Sequence, residues 1–371
     1  MRTTIGPMVA VALLGLGCGE DLRANDAAPG GGAGAREVLP GPGGSGGVGG
    51  SGGAGGAGGS AGQGGAGGID VGWTGPFTWV EVETGRLVLD VACDEEGTCL
   101  ALSGGDANDV ELIDLDTGVV QRWQAPVEWD GDLRFFELLA AGEGRFLTVG
   151  GTAYEAVLLE RTPDGVALLW DSYQGDDCAG PGGCVIYSPF RSIAAAGGGY
   201  WALHPDGTVL HGSDEWELRP FAERWWFTSL AGTEGSELFA AASDGLYRRE
   251  GDGWSRFHEV GGIERLWTDG RGFFVGVGYG GRVLHGTAGA FTVEELGGAD
   301  FLDLWGAGSD SVWATTLDGR LFRFDGAGWS LEPLPAVAED AVLTAVAGTP
   351  DGGLVVTTGD GTVLRGVPID G

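Results

Sequence analysis

The sequence predicts an all-β fold in which four-stranded antiparallel units repeat around a closed ring, and three observations predict it. From Ile69 onward, Val, Trp, Phe and Thr fall in short runs of four to eight residues, punctuated by Asp-Gly or Gly-Gly, with no sustained 3.6-residue period. These runs recur as a unit. Phe227-Thr228-Ser229-Leu230-Ala231-Gly232 and Phe301-Leu302-Asp303-Leu304-Trp305-Gly306 each lead to a second run, an Asp-Gly turn (Asp244-Gly245, Asp318-Gly319), a third run, and a fourth opened by Gly-Trp (Gly253-Trp254, Gly328-Trp329). The last unit stops after three runs, and the missing fourth stands at the other end of the domain, at Pro76-Phe77-Thr78-Trp79-Val80-Glu81-Val82. A sheet that borrows its last strand from the start of the chain closes a ring and leaves no open edge.

The aliphatic register mark of each first strand falls at Val91, Leu139, Ile193, Leu230, Leu266, Leu304 and Val346, steps of roughly 36 to 54 residues, the spacing of propeller blades. The predicted architecture is a seven-bladed β-propeller over residues 76–371, with residues 76–83 completing the last blade. The less regular first two units leave six and eight blades as alternatives.

The chain opens with Met1-Arg2-Thr3-Thr4, an apolar run from Ile5 to Leu16, and Gly17-Cys18-Gly19. One early cation, about a dozen apolar residues and small residues before a Cys predict a signal peptide over residues 1–17, too short to span the roughly 20 residues a bilayer requires. Residues 18–75 predict a disordered tether: Pro29–Gly68 holds 22 Gly in 40 residues with no apolar period, so nothing there offsets chain entropy by burial. Such a coil has a root-mean-square reach of roughly 35 Å.

Leu14-Gly15-Leu16-Gly17-Cys18 resembles the lipobox of bacterial lipoproteins, with Gly15 departing from the aliphatic residue usual three before the Cys. The repeat behind a Gly-Ser-Ala tether resembles the propeller lipoproteins of Gram-negative bacteria, and the tether those of myxobacteria. The resemblance implies a diacylglyceryl and palmitate anchor on Cys18, export, and an outer-membrane or cell-surface location. It carries no WD40 Gly-His and Trp-Asp marks, no sialidase Asp-box and no kelch double-Gly in register. The other four Cys form two close pairs, Cys93 with Cys99 and Cys178 with Cys184, read as two local disulfide loops of an exported protein, since neither pair has zinc-ligand spacing.

Acidic residues outnumber basic ones 53 to 20, a net charge of −33, and every basic residue is Arg. A polyanion of this kind is repelled by nucleic acid and by anionic lipid, so a membrane is met only through the anchor. No catalytic constellation emerges. His211 and His285 share a repeat position with Arg365 and read as solvent-facing strand residues; no G-x-S-x-G, H-E-x-x-H or Walker loop is present. No cofactor is expected. Asp130-Gly131-Asp132 and Asp176-Asp177 offer hard oxygen ligands for a loop-bound calcium, but without EF-hand spacing. Trp254, Trp267, Trp305, Trp313 and Trp329 recur in register and are expected to pack between blades. A ligand face is expected over the channel, on loops longer than connection requires: Trp129, Asp130 and Asp132; Tyr173, Asp176, Asp177 and Tyr187; and Arg224 with Trp225. The resulting expectation is a monomeric, non-enzymatic binding or scaffold module with a protein or glycan partner at the envelope. The alternative is an extracytoplasmic carbohydrate-active hydrolase or lyase using channel carboxylates.

Overall fold

A computed structural model describes residues 77–369, apart from 105–107, 127, 128, 130, 131, 153, 154, 173–187, 214, 220–225, 234–236, 288 and 336–340. The predicted signal peptide, Cys18, the tether and the Cys178–Cys184 pair lie outside the described residues.

Strand β1 (Phe77–Glu83) precedes six complete four-strand blades. Blade 1 is β2 (Val88–Cys93), β3 (Cys99–Gly104), β4 (Asp109–Asp114) and β5 (Val120–Gln124). Blade 2 is β6 (Arg134–Gly142), β7 (Arg145–Gly151), β8 (Ala156–Thr162) and β9 (Gly165–Asp171). Blade 3 is β10 (Ser192–Ala196), β11 (Gly199–Leu203), β12 (Val209–Gly212) and β13 (Trp216–Arg219). Blade 4 is β14 (Phe227–Gly232), β15 (Leu238–Ala242), β16 (Gly245–Glu250) and β17 (Gly253–His258). Blade 5 is β18 (Ile263–Thr268), β19 (Phe273–Gly278), β20 (Arg282–Thr287) and β21 (Ala290–Glu295). Blade 6 is β22 (Phe301–Gly308), β23 (Ser311–Thr316), β24 (Leu321–Phe324) and β25 (Trp329–Glu332). Blade 7 is β26 (Leu343–Gly348), β27 (Leu354–Thr358) and β28 (Thr362–Pro368), completed on its outer edge by β1.

The seven-bladed architecture and the closure from the N-terminal side are as the repeat predicts. β1 pairs antiparallel with β28 from Phe77↔Pro368 to Glu83↔Thr362, and Trp79 fastens it sideways by donating its indole N–H to the Pro333 carbonyl at 3.0 Å.

The core is a set of layers between sheets. Seven apolar clusters form, each joining two neighbouring blades, and together they run round the whole ring. The alternation of side chains in each strand feeds both layers at once: in β14, Leu230 faces blade 3 while Ala231 faces blade 5. The repeated Trp belong here. Trp254 lies in the blade 3–4 layer, Trp267 and Trp329 in the 5–6 layer, and Trp305 and Trp313 in the 6–7 layer.

Asp-Gly turns connect second to third strands. Thr316 Oγ1 donates to Asp318 Oδ1 at 2.7 Å while accepting the Arg320 N–H at 2.8 Å, and Gly319 takes the positive φ of 82°. Thr358, Asp360 and Gly361 repeat the arrangement in blade 7. At the β2–β3 turn the predicted disulfide is present: Cys93 and Cys99 are directly paired across the hairpin and bonded.

Two expectations change. The register mark of blade 2 is Leu138, not the adjacent Leu139: Leu138 follows Glu137, where pairing resumes after the β-bulge, as Val91 follows Asp90 and Leu230 follows Ser229 in their blades. His211 and His285 are not solvent-facing. His211 stacks on Trp201 at 3.8 Å, and His285 lies edge-on to Phe324 with Nε2 3.2 Å from Glu294. Both lie on third strands and are half-buried, His211 against Trp201 of β11 and His285 against Phe324 of blade 6.

Candidate functional site: the channel mouth

The first strand of each blade lines the central axis, and one position in it carries polar side chains around the ring. After the bulge, first strands resume pairing at Asp90, Glu137, Ser229, Arg265, Asp303 and Ala345; in blade 3 the equivalent residue is Ser192. Five of these side chains reach the next blade and accept its backbone amide. Asp90 takes the Leu138 N–H at 2.6 Å, Glu137 that of Ile193 at 3.1 Å, and Ser192 that of Leu230 at 2.9 Å. Ser229 takes Leu266 at 3.1 Å, and Asp303 takes Val346 at 2.8 Å. Each bond satisfies a backbone amide of a first strand, which is the inner edge of its sheet and has no further strand to pair with on that side.

Arg265 replaces an acceptor with a cation at this level. Its Nε lies 3.7 Å from Asp303 Oδ1, and its charge is felt by Asp90, Glu137 and Asp303 together. Burial pushes the Glu137 carboxyl up to about 7, with Arg265 and the Ser192 and Ile193 hydrogen bonds opposing. Burial also raises Asp90, and the charges of Asp303 and Glu137 raise it further. Three carboxylates from blades 1, 2 and 6 therefore converge on one guanidinium.

The residues that enter the first strands share a face with the second-to-third-strand turns. Ser243 donates to the Trp226 carbonyl at 2.9 Å, Leu317 to that of Asp300 at 2.8 Å, and Gly359 to that of Val342 at 2.8 Å. Among the described residues only two aromatic side chains are largely exposed, Trp226 at 49% and Tyr279 at 46%, and both are on this face. Trp226 stands immediately before β14, and Tyr279 opens a short 3-10 turn between β19 and β20. Between them runs a charged rim. Arg191, one residue before β10, has its guanidinium carbon 4.3 Å from the Phe136 ring centroid and 5.9 Å from that of Trp226. Glu264 sits beside Arg265 and Arg191, and burial raises its carboxyl. Burial also raises the Tyr279 hydroxyl, with Glu264, Asp300, Arg265 and Arg191 all close enough to act on it.

Of the residues expected on the ligand face, Asp132 is exposed on this face, just ahead of β6. Trp129 is a correction. Its N–H turns back to the Pro126 carbonyl at 3.1 Å, and its ring is buried in the blade 1–2 layer, 5.8 Å from Trp123. It packs where a ligand residue would project. Asp130, Tyr173, Asp176, Asp177, Tyr187, Arg224 and Trp225 lie outside the described residues. Sequence reasoning missed Arg191, Trp226, Tyr279 and the ring of channel residues. A signal for the ring existed: the residue before each apolar mark is polar in six of the seven first strands, once Leu138 replaces Leu139.

His204, on the turn beside β12, is 5% exposed and held between Ser188 and Asp206, each at 2.8 Å. On the opposite face a cleft of about 490 Å³ opens between blades 7 and 1; its Arg365 is paired with Asp116 at 2.6 Å. No group of three His, Cys, Asp or Glu with metal-ligating geometry occurs among the described residues.

No family model matches this chain, and no curated protein does. Solved structures do. YCF48 bound to D1 peptide superposes with a TM-score of 0.57 at 17% identity, covering 80% of this chain and 100% of that one. A catalytically inactive virginiamycin B lyase from Staphylococcus aureus with quinupristin gives 0.58 at 14% identity, covering 79% and 100%. Chaetomium thermophilum Raptor gives 0.56 at 12% identity, covering 79% of this chain and 30% of that one. The likeness shows the fold. At these identities the side chains at the channel mouth are this chain's own and are read from its own geometry.

Proposed function

We propose that the chain is a non-enzymatic binding module, held at the cell envelope by a lipid on Cys18, that takes a protein partner on the channel mouth. One observation carries the reading: the two largely exposed aromatics among the described residues stand on the same face, beside Arg191. Aromatic side chains and Arg are the residues that most often dominate binding energy at protein interfaces. The presence of a peptide in the YCF48 structure is consistent with a propeller of this shape serving as a receptor. The lipobox-like run and Gly-rich tether support the anchor, and Cys18→Ser is expected to release the chain into the soluble fraction. The photo-cross-linker benzoylphenylalanine placed at position 226 or 279 is expected to capture a discrete partner in native envelopes. The same group at position 331, on the outer strand β25, is expected to capture none; equal capture at all three contradicts the reading.

A second reading has one observation in its favour. Asp90, Glu137 and Asp303 converge in the channel, and a carboxyl near 7 suits a general acid or base. Against it, each of the three already accepts a backbone amide from the next blade, which accounts for its burial without chemistry. Hydrolase or lyase turnover on a glycan, lost in Glu137→Gln while the fold persists, would establish this reading instead.

A further inference from the structure

Arg191 is a poorly compensated charge at the channel mouth. Its guanidinium carbon lies over the Phe136 ring at 4.3 Å from the centroid, with the Trp226 ring at 5.9 Å. Its Nε is buried and has no hydrogen-bond partner among the described residues. The neighbouring charges do not supply the deficit: Arg265 and Arg134 oppose its charge, with Glu264 and Tyr279 acting the other way. A desolvated guanidinium without an anion is costly, and here it persists in a chain of net charge −33.

We propose that the channel mouth receives the free C-terminal carboxylate of a peptide, with the Arg191 guanidinium donating to it and Trp226 as the adjoining apolar contact. This rests on the binding reading above and adds the ligand's chemistry to it. A planar carboxylate matches a guanidinium edge bidentately. A single negative charge meets the least repulsion in so acidic a molecule, which disfavours phosphorylated and polyanionic ligands. A chain end can point down a ring-shaped mouth towards Arg265, whereas an internal segment would have to double back. The rim outside Arg191 is acidic, with Glu264, Asp300 and the exposed Asp132, so basic residues upstream of the carboxylate complete the charge match.

The test uses the purified chain and an array of decapeptides of varied sequence. Each is made with a free C-terminal carboxylate, as the C-terminal amide, and as the amide with an internal Asp; binders are then titrated by calorimetry. The carboxylate form is expected to bind at least tenfold more tightly than its amide. That ratio is expected to fall below twofold in Arg191→Gln, to lie between in Arg191→Lys, and to stay unchanged in Arg365→Gln on the opposite face. Because Arg191→Gln removes an unpaired charge, its melting temperature is expected to be no lower than that of the parent, so loss of binding is not loss of fold. Amides that bind as tightly as acids, internal-Asp amides that match the acids, an unchanged ratio in Arg191→Gln, or no binder at all would each overturn the proposal. Amides that bind equally and are lost in Trp226→Ala would overturn the carboxylate while leaving the binding face standing.

Discussion

Glu137 is buried, accepts the Ile193 amide, and sits among Asp90, Asp303 and Arg265, so its titration reports on the channel. Its carboxyl stands at about 7 against an ordinary 4.5. The native state therefore holds a proton that the unfolded chain releases between those values. The stability from this proton is fully present below about pH 4.5 and is lost as pH rises through about 7. The cost is on the order of 3 kcal/mol across the window. Chemical denaturation at pH 5 and pH 8 is expected to show a fall in wild-type stability that Glu137→Gln lacks; the same fall in both would contradict the channel electrostatics. The ring residues stand in the sequence as polar positions before apolar marks, but the pattern runs round the ring only once Leu138 replaces Leu139. The ligand-face residues were less legible, because a Trp in a loop is read as projecting unless the turn that folds it inward is known. Trp129 folds inward through a single backbone bond to Pro126.

At the scale of the strand, local chemistry and sequence agree closely. Asp-Gly turns, Gly-Trp fourth strands and the Cys93–Cys99 pairing all follow from residues adjacent in the chain. The disulfide closes a short hairpin loop, so the chain-entropy account assigns it roughly 2 kcal/mol. Cys93→Ser with Cys99→Ser is expected to lower unfolding stability by about that amount and to leave the sheet intact by circular dichroism; no change would show that the hairpin is already fixed by its strand pairing and by the Asp94–Thr98 bond at 2.8 Å. The β-bulges were not legible. An extra residue in a strand does not alter composition or turn signals, and it moves the register by one only when the partner strand is present. Leu138 and Leu139 are adjacent leucines that composition does not distinguish, and the Asp90 bond goes to Leu138.

For the whole molecule, the ring depends on β1. It lies against β28 along its full length, Phe77 enters the blade 6–7 layer, and without it β28 would present an open edge. Deletion of residues 77–83 is expected to convert a monomer into concentration-dependent oligomers in light scattering; a monomer of unchanged stability would contradict the closure. Closure was legible because an incomplete last unit and an orphan first strand are complementary. The proposed binding face was legible only as a location, since Arg191, Trp226 and Tyr279 come one each from the consecutive blades 3, 4 and 5 and share no motif. The proposed role of this face is to take a partner. The most direct measurement is calorimetric titration of the partner cross-linked at position 226 with wild-type chain and with Trp226→Ala, Tyr279→Ala. The account predicts that affinity falls at least a hundredfold in the double variant while its melting temperature stays within about 2 °C, since both side chains are largely exposed. Unchanged affinity would contradict it.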